Sequence, residues 1–343
     1  MHGLERELRI VSPINVEDDM RRLLTIVVSA GIALLGAAGV AYAQAFPTRP
    51  ITIVVPFPPG GSTDVVTRLL AKKMSENIGQ PVIIENKPGG GGISGAIAVK
   101  NAAPNGYTLY VGHVGSLSVN LHMQKNLGYD PVKDFEPITT MHSFAQILMV
   151  PAASPAKTLQ ELVAYAKSKP GGLSYTSQGP GTTSQIQGEI MKLETGAPLV
   201  HIPMKGAAAA VTEVVAGRAD MMFSSYISAA SFIRDGKLRL IGIGAGTRSK
   251  LLPDLPTLAE LGIQGVDFDQ WFGILAPAKT PDAVIRKLNQ EVSSAMHSPE
   301  VEKAVTQLVA DVITSTPEEF AKRIATDSAR YGKIVRQLGI KFD

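Results

Sequence analysis

From Ile51 onward the chain alternates short runs of consecutive apolar, β-branched residues with longer stretches in which apolar positions return every three or four residues. The first run, 51–55, predicts a strand. A turn-rich stretch, 56–61, follows, and then a helix over 64–74 that presents Val66, Leu69, Leu70 and Met74 on one face. The unit repeats after Pro81 as a strand over 82–85, a glycine loop over 88–92, a short helix over 93–100 and a strand over 108–111. Such β-loop-α alternation predicts an α/β protein whose sheet is mostly parallel, with ligands held beyond the carboxyl ends of the strands.

A second series opens near Gln146 with strand 146–150, helix 159–167, strand 173–176 and loop 177–181. Helix 183–194 follows, with Ile186, Ile190 and Leu193 turned inward, then helix 207–216 and strands 221–223 and 238–243. This reads as a second α/β lobe. Two amphipathic helices, 281–296 and 317–338, end the chain and need a lobe to pack against. Neither repeats nor low-complexity linkers appear, so the lobes are expected to be joined by crossing strands rather than a loose tether.

The N-terminus changes the picture of where the protein works. Met20, Arg21 and Arg22 precede an apolar run over 23–40 and a small-x-small site at Ala41-Tyr42-Ala43, the tripartite pattern of a cleaved signal peptide over 20–43. The polar segment 1–19 reads as an upstream extension that is not native, with Met20 as the initiator. Removing 1–43 leaves 29 basic and 25 acidic residues, dispersed among one another. That mild cationic balance argues against nucleic acid and suits a small anionic ligand. The chain has no cysteine, which rules out disulfides, thiolate metal sites, a cysteine nucleophile and a lipidated cysteine.

Candidate chemistry lies in the loops. Pro56-Phe57-Pro58-Pro59-Gly60-Gly61-Ser62-Thr63-Asp64 joins a strand to a helix N-terminus, where backbone N–H groups and the helix dipole can hold a carboxylate. The competing reading is that Ser62 or Thr63 caps the helix and Asp64 complements its dipole. The second lobe offers a similar loop, Ser177-Gln178-Gly179-Pro180-Gly181-Thr182-Thr183-Ser184. Two cradles on two lobes would clamp a molecule with an acid group at each end. Gly90 to Gly95 formally matches G-x-G-x-x-G, but a glycine run meets that pattern trivially and no acid stands where a ribose would need it. The six histidines lack metal-ligand spacing. A triad from Ser62 or Ser184 with His201 and Asp220 lacks G-x-S-x-G. No cofactor, metal or catalytic residue is assigned, and an exported α/β enzyme, a hydrolase or a dinucleotide-dependent enzyme acting on a small acid, stays as the alternative.

Several motifs in order closely resemble one family: Arg49-Pro50-Ile51, residues 56–64, Glu85-Asn86-Lys87-Pro88-Gly89-Gly90, Asn105-Gly106-Tyr107-Thr108-Leu109 and Tyr129-Asp130-Pro131-Val132-Lys133-Asp134-Phe135. Pro203-Met204-Lys205-Gly206, Gly217-Arg218-Ala219-Asp220-Met221-Met222-Phe223 and Trp271-Phe272-Gly273-Ile274-Leu275-Ala276-Pro277-Ala278 continue it. The resemblance is to the Bug family, the extracytoplasmic receptors of tripartite tricarboxylate transporters. It implies a two-lobed periplasmic-binding-protein fold, type II-like, with a ligand cleft between lobes. Lobe one would comprise 46–147 and 266–343, and lobe two 148–265.

The resemblance also implies a monomeric receptor, not an enzyme, that captures a small carboxylate by lobe closure in the periplasm and serves a membrane permease or a sensing role. The expected first-lobe ligand residues are Pro58, Gly60, Ser62, Thr63 and Asp64. The second lobe would add Ser177, Gly181, Thr182, Thr183, Lys205, Ser224, Ser225 and Tyr226. Asp64 would repel a dicarboxylate and is read as a cap of its own helix, and Asp220 as a brace of a turn. Trp271 is expected at the cleft edge, where fluorescence would report ligand. Ser184 stands where many members carry histidine and Met204 where an aromatic is common. With Tyr226 these departures admit aliphatic or aromatic carboxylates as readily as a citrate-like acid.

Overall fold

The computed structural model describes Met20 and residues 46–340. The expected upstream extension and signal peptide lie, apart from Met20, outside the described residues.

The alternating apolar runs assemble into two sheets. The first contains β1 (Ile51–Val55), β2 (Val82–Asn86), β3 (Thr108–His113), β4 (Phe135–Ala145), β10 (Asp269–Pro277) and β11 (Asp311–Val312), in the order β11-β4-β10-β3-β1-β2. The second contains β5 (Ile147–Pro151), β6 (Leu173–Ser177), β7 (Leu199–Pro203), β8 (Met221–Ser224) and β9 (Leu238–Ile243), in the order β7-β6-β8-β5-β9. Within each sheet the βαβ units pair in parallel, β2 with β1 with β3 and β7 with β6 with β8. The strand that enters from the other sheet runs against its neighbours: β10 is antiparallel to β3 and β4, and β5 to β8 and β9. The chain passes from the first sheet to the second at Gln146 and returns over 244–268.

Helices cover both sheets. They are α1 (Ser62–Ile78), α2 (Ile93–Lys100), α3 (Asn120–Met123), α4 (Leu159–Ser168), α5 (Thr183–Thr195), α6 (Ala207–Val215), α7 (Tyr226–Arg234), α8 (Asp282–Met296), α9 (Pro299–Gln307) and α10 (Pro317–Leu338). Helix α1 buries Val66, Leu70 and Met74 and stops where Gly79 turns left-handed at φ 65°. Helix α10 starts on a capping box, Thr316 with Glu319, with Pro317 in its first turn. It buries Phe320, Ile324, Tyr331 and Val335.

Two expectations need correction, and some elements had none. Leu193 is 63% exposed rather than inward, because it lies on the flank of α5 facing away from the β6–β8 surface that buries Ile186 and Met191. Trp271 is not at a cleft edge. It is fully buried edge-on against Phe320, and its indole N–H donates to Asp327 on α10. Strands β4 and β7 and helix α9 had no separate prediction; β7 is an edge strand with Val200 and Ile202 exposed, so its polarity gave no clean alternation.

Candidate functional site

Loops from both sheets meet along one seam. A cavity of about 70 Å³ is lined by Phe57, Pro58 and residues 61–63 from the first lobe and by Gln178 and residues 205–209 from the second. A second cavity, of about 220 Å³, shares Phe57, Pro58, Gln178, Lys205 and Gly206 with it and extends to the glycine loop 88–91 and to Met204. Both are small against the roughly 300–1,000 Å³ of small-molecule pockets, so the lobes stand drawn together. They touch directly: the Ser62 N–H donates to Ser228 Oγ at 3.2 Å, and a Cβ on Gly91 would sit 2.2 Å from the Pro180 carbonyl oxygen.

Two helix N-termini face this seam. Helix α1 is capped by Gly61 without a side-chain bond, and among the described residues no acceptor meets the N–H groups of Thr63 and Asp64. Helix α6 is capped by Gly206, again without a side-chain bond, and its first-turn N–H groups at Ala207, Ala208 and Ala209 equally meet no acceptor among the described residues. Its first turn carries no acid. Each end therefore presents unsatisfied donors and the positive pole of a helix dipole to the same cavity.

Asp64 does not cap α1, contrary to the sequence reading. Its carboxylate accepts from the Gly60 N–H at 3.0 Å, from Asn86 Nδ2 at 3.0 Å, and from Arg68 Nε and Nη2 at 2.9 Å each. Burial alone would raise this carboxyl; the hydrogen bonds from Arg68, Asn86 and Gly60 and the Arg68 charge outweigh it and hold it below the usual carboxylate range. Asp64 is thus an anchor that fixes Gly60 at φ 88°, and its charge is already paired.

On the second lobe, Gln178 is held at both backbone ends. Its N–H donates to Ser184 Oγ at 3.1 Å and its carbonyl accepts from the Gly206 N–H at 3.0 Å. The residue is 5% exposed, lines both cavities, and its Nε2 has no partner among the described residues. An unpaired buried donor costs roughly 1–3 kcal/mol, which makes it a ready contact for an incoming oxygen. Lys205 sits exposed at the mouth of both cavities and forms no ion pair among the described residues.

The other expected residues have different surroundings. Pro58, Ser62 and Thr63 line the smaller cavity, and Gly60 adjoins it through Asp64. Ser177, Gly181, Thr182 and Thr183 line neither cavity. Ser177 Oγ accepts from the Gly179 N–H and meets His201 Nε2 at 2.7 Å. The Gly181 N–H donates to Gln185 and the Thr182 hydroxyl to the Gly179 carbonyl. The Thr183 hydroxyl meets the side-chain amides of Gln146 and Gln270, where the chain crosses between sheets. Ser224 Oγ is buried without a partner, Ser225 caps α7 by accepting from the Ser228 N–H, and Tyr226 packs against the apolar cluster around Met222. Asp220 braces β6, accepting from the Ser174 N–H and hydroxyl and from Lys169.

Sequence reasoning named neither Gln178 nor Ala207 to Ala209 as a contact, and it weighed the glycine loop 88–92 only as a formal G-x-G-x-x-G match. Only the Asp64–Arg68 spacing of four on a helix gave a usable signal for the anchor. Beneath loop 88–91 lies His113, fully buried, whose Nδ1 accepts from the Gly115 N–H at 3.0 Å. Its proton therefore sits on Nε2, 3.0 Å from the Gly91 carbonyl. Burial lowers its pKa to about 4, against a smaller opposing effect of the Gly91 bond. Among the described residues no cluster of three or more His, Asp or Glu could hold a metal.

Comparison with known proteins places the chain in a family. Residues 66–340 match the model of the tripartite tricarboxylate transporter family receptor. The chain is 33% identical to the protein BugT of Bordetella pertussis over 324 residues, 94% of this chain and 99% of that one. It is 36% identical to a UPF0065 protein from the tcbD-tcbE intergenic region of Pseudomonas sp. over 90% of this chain and 93% of that one. Among solved structures, a periplasmic transporter matches at a TM-score of 0.84 and 38% identity, covering 87% of this chain and all of that one. Rpa4515 of R. palustris, solved with adipate, matches at 0.84 and 29% over 86% and 99% of the two chains. MatC from Rhodopseudomonas palustris, with bound malate, matches at 0.80 and 33% over 84% and 100%. These likenesses identify a periplasmic-binding-protein fold in a family of binding proteins, not of enzymes. The chain belongs to the tripartite tricarboxylate transporter receptor family, the solute-binding proteins that include the Bug receptors.

Proposed function

We propose that this receptor captures a small aliphatic carboxylate, with a diacid as the favoured class, by closing its two lobes around it. One observation carries the reading: the N-termini of α1 and α6, from opposite lobes, aim free N–H groups into one seam beside the unpartnered Gln178 amide and the unpaired Lys205. One carboxylate would lie on the 60–63 loop and the other near Lys205 and residues 207–209. The adipate and malate bound by relatives support the class. The loop 177–184 would act as support, with its hydroxyls engaged in holding Gln178 and the crossing strands. The signal-like segment 20–43 fits export to the periplasm, where the receptor would work as a monomer that passes its ligand to a membrane permease or reports its presence.

The test is native mass spectrometry of gently purified protein, with thermal-shift screening of mono-, di- and tricarboxylates. A released acid, or a stabilisation by a diacid of about 2.7 kcal/mol at a hundred times its Kd, supports the reading. No released acid and no shift with any carboxylate refutes it.

A further inference from the structure

A cavity of about 620 Å³ lies between α5 of the second sheet and α10 of the first, and shares no lining residue with the seam. Its floor is aliphatic: Ile190 and Leu193 from α5, Ile334 and Leu338 from α10. Leu193, 63% exposed, lies beside Ile190, which is buried, and the partly buried Ile334 and Leu338, so the groove has an aliphatic floor open at one side. Arg330 and Lys333 stand on the α10 wall three residues apart, hence on one face. Lys333 makes no ion pair among the described residues. Arg330 reaches Asp267 at 3.5 Å, a half-exposed pair that an incoming anion can share. The opposite wall carries Glu194, so an anionic head is directed to the α10 side and a second charge at the far end is disfavoured.

We propose that this groove is a second ligand site, for a linear amphiphilic monoanion. Its alkyl chain lies on the Ile190–Leu193–Ile334–Leu338 floor and its carboxylate at Lys333 and Arg330. The volume falls within the roughly 300–1,000 Å³ range of small-molecule pockets, and the lining of aliphatic residues with a few polar groups at one end is that of such pockets rather than of a flat protein-docking face. The inference does not depend on the carboxylate reading of the seam.

The test is calorimetric titration of the purified protein with hexanoate, octanoate and decanoate below their micellar concentrations. Decanoate should saturate with a Kd below about 1 mM, and affinity should tighten about three- to fourfold per added methylene that enters the groove. Lys333→Glu, an exposed position, should weaken decanoate at least about tenfold. Ala329→Trp, which fills the groove, should abolish its binding, and Lys205→Glu at the seam should leave it unchanged. Should Ala329→Trp fail to fold by circular dichroism, Lys333→Glu remains the deciding variant. Absence of saturable binding overturns the proposal and leaves the groove to a macromolecular partner. Equal binding of hexanoate and decanoate, or binding that survives Lys333→Glu but is lost in Lys205→Glu, overturns it as well.

Discussion

Replacing Asp64 by asparagine separates an anchor from a ligand contact, and the structure sets the size of the effect. Each carboxylate oxygen accepts two bonds, one from Arg68 and one from either Gly60 or Asn86. Whichever oxygen becomes an NH₂, one Arg68 donor and one other donor then face a donor. Two buried bonds are lost at about 1 kcal/mol each. The charge pair adds only about 0.5 kcal/mol, because the Arg68 side chain is 51% exposed and screened. The expected destabilisation is therefore about 2–3 kcal/mol, or roughly 3–5 °C in Tm for a chain of this length.

The pH dependence sharpens the test. A carboxyl whose folded pKa is depressed contributes stability that is complete above its ordinary unfolded value, near 3.8, and is lost as pH falls through the folded value. Calorimetric scans of wild type and Asp64→Asn should thus differ by a constant amount above about pH 5 and converge below about pH 4. On an Arg68→Met background the asparagine substitution should cost about 1 kcal/mol less, since the two side chains share bonds. Equal Tm values at pH 7, or a difference undiminished at acid pH, would refute the anchor.

Three further outcomes are expected. Gly91→Ala should weaken acid binding at least about tenfold and enlarge the radius of gyration in small-angle scattering, because its methyl would lie 2.2 Å from the Pro180 carbonyl when the lobes meet; unchanged affinity would show that these loops do not close together. Lys205→Met should cost a diacid about tenfold and a monoacid under about twofold in a thermal-shift titration, and equal losses would remove Lys205 from the distal charge. His142 is fully buried against Phe272, and burial lowers its pKa to about 3 from 6.5, so its stabilising neutrality is complete above the unfolded value and lost as pH falls below it. His142→Phe should keep the stacking and reduce the slope of stability with pH between about 6 and 4 by about 1.4 kcal/mol per unit, read by denaturant titration.

Much of the βαβ pattern was legible because β1 is a nearly uniform apolar run, β3 carries a Leu-Tyr-Val core, and α1 and α10 carry clear stripes. Edge strand β7 and the short β11 bury too little to leave a pattern. At the site, the first loop announced itself because glycines and a helix start adjoin in sequence. The second cradle did not: its donors are backbone N–H groups of three alanines, and nothing in an alanine says that its amide will lack an acceptor. Gln178 became visible only once β7 and α6 had brought Gly206 against it. Asp64 was misread as a cap because its partner Asn86 is 22 residues away, on another strand.

Strand β4 ends at Ala145 and β5 begins at Ile147, so at that crossing Gln146 alone stands between the two sheets. In the proposed lobe closure this crossing would be a pivot with almost no slack beside a long lever. A twist of about 10° there, absorbed by one or two residues, would sweep a rim roughly 30 Å away through some 5 Å. Thr183, clasped by Gln146 and Gln270, sits on that crossing, so in the proposed closure a hydroxyl that lines neither seam cavity would govern how stiffly the two arms turn.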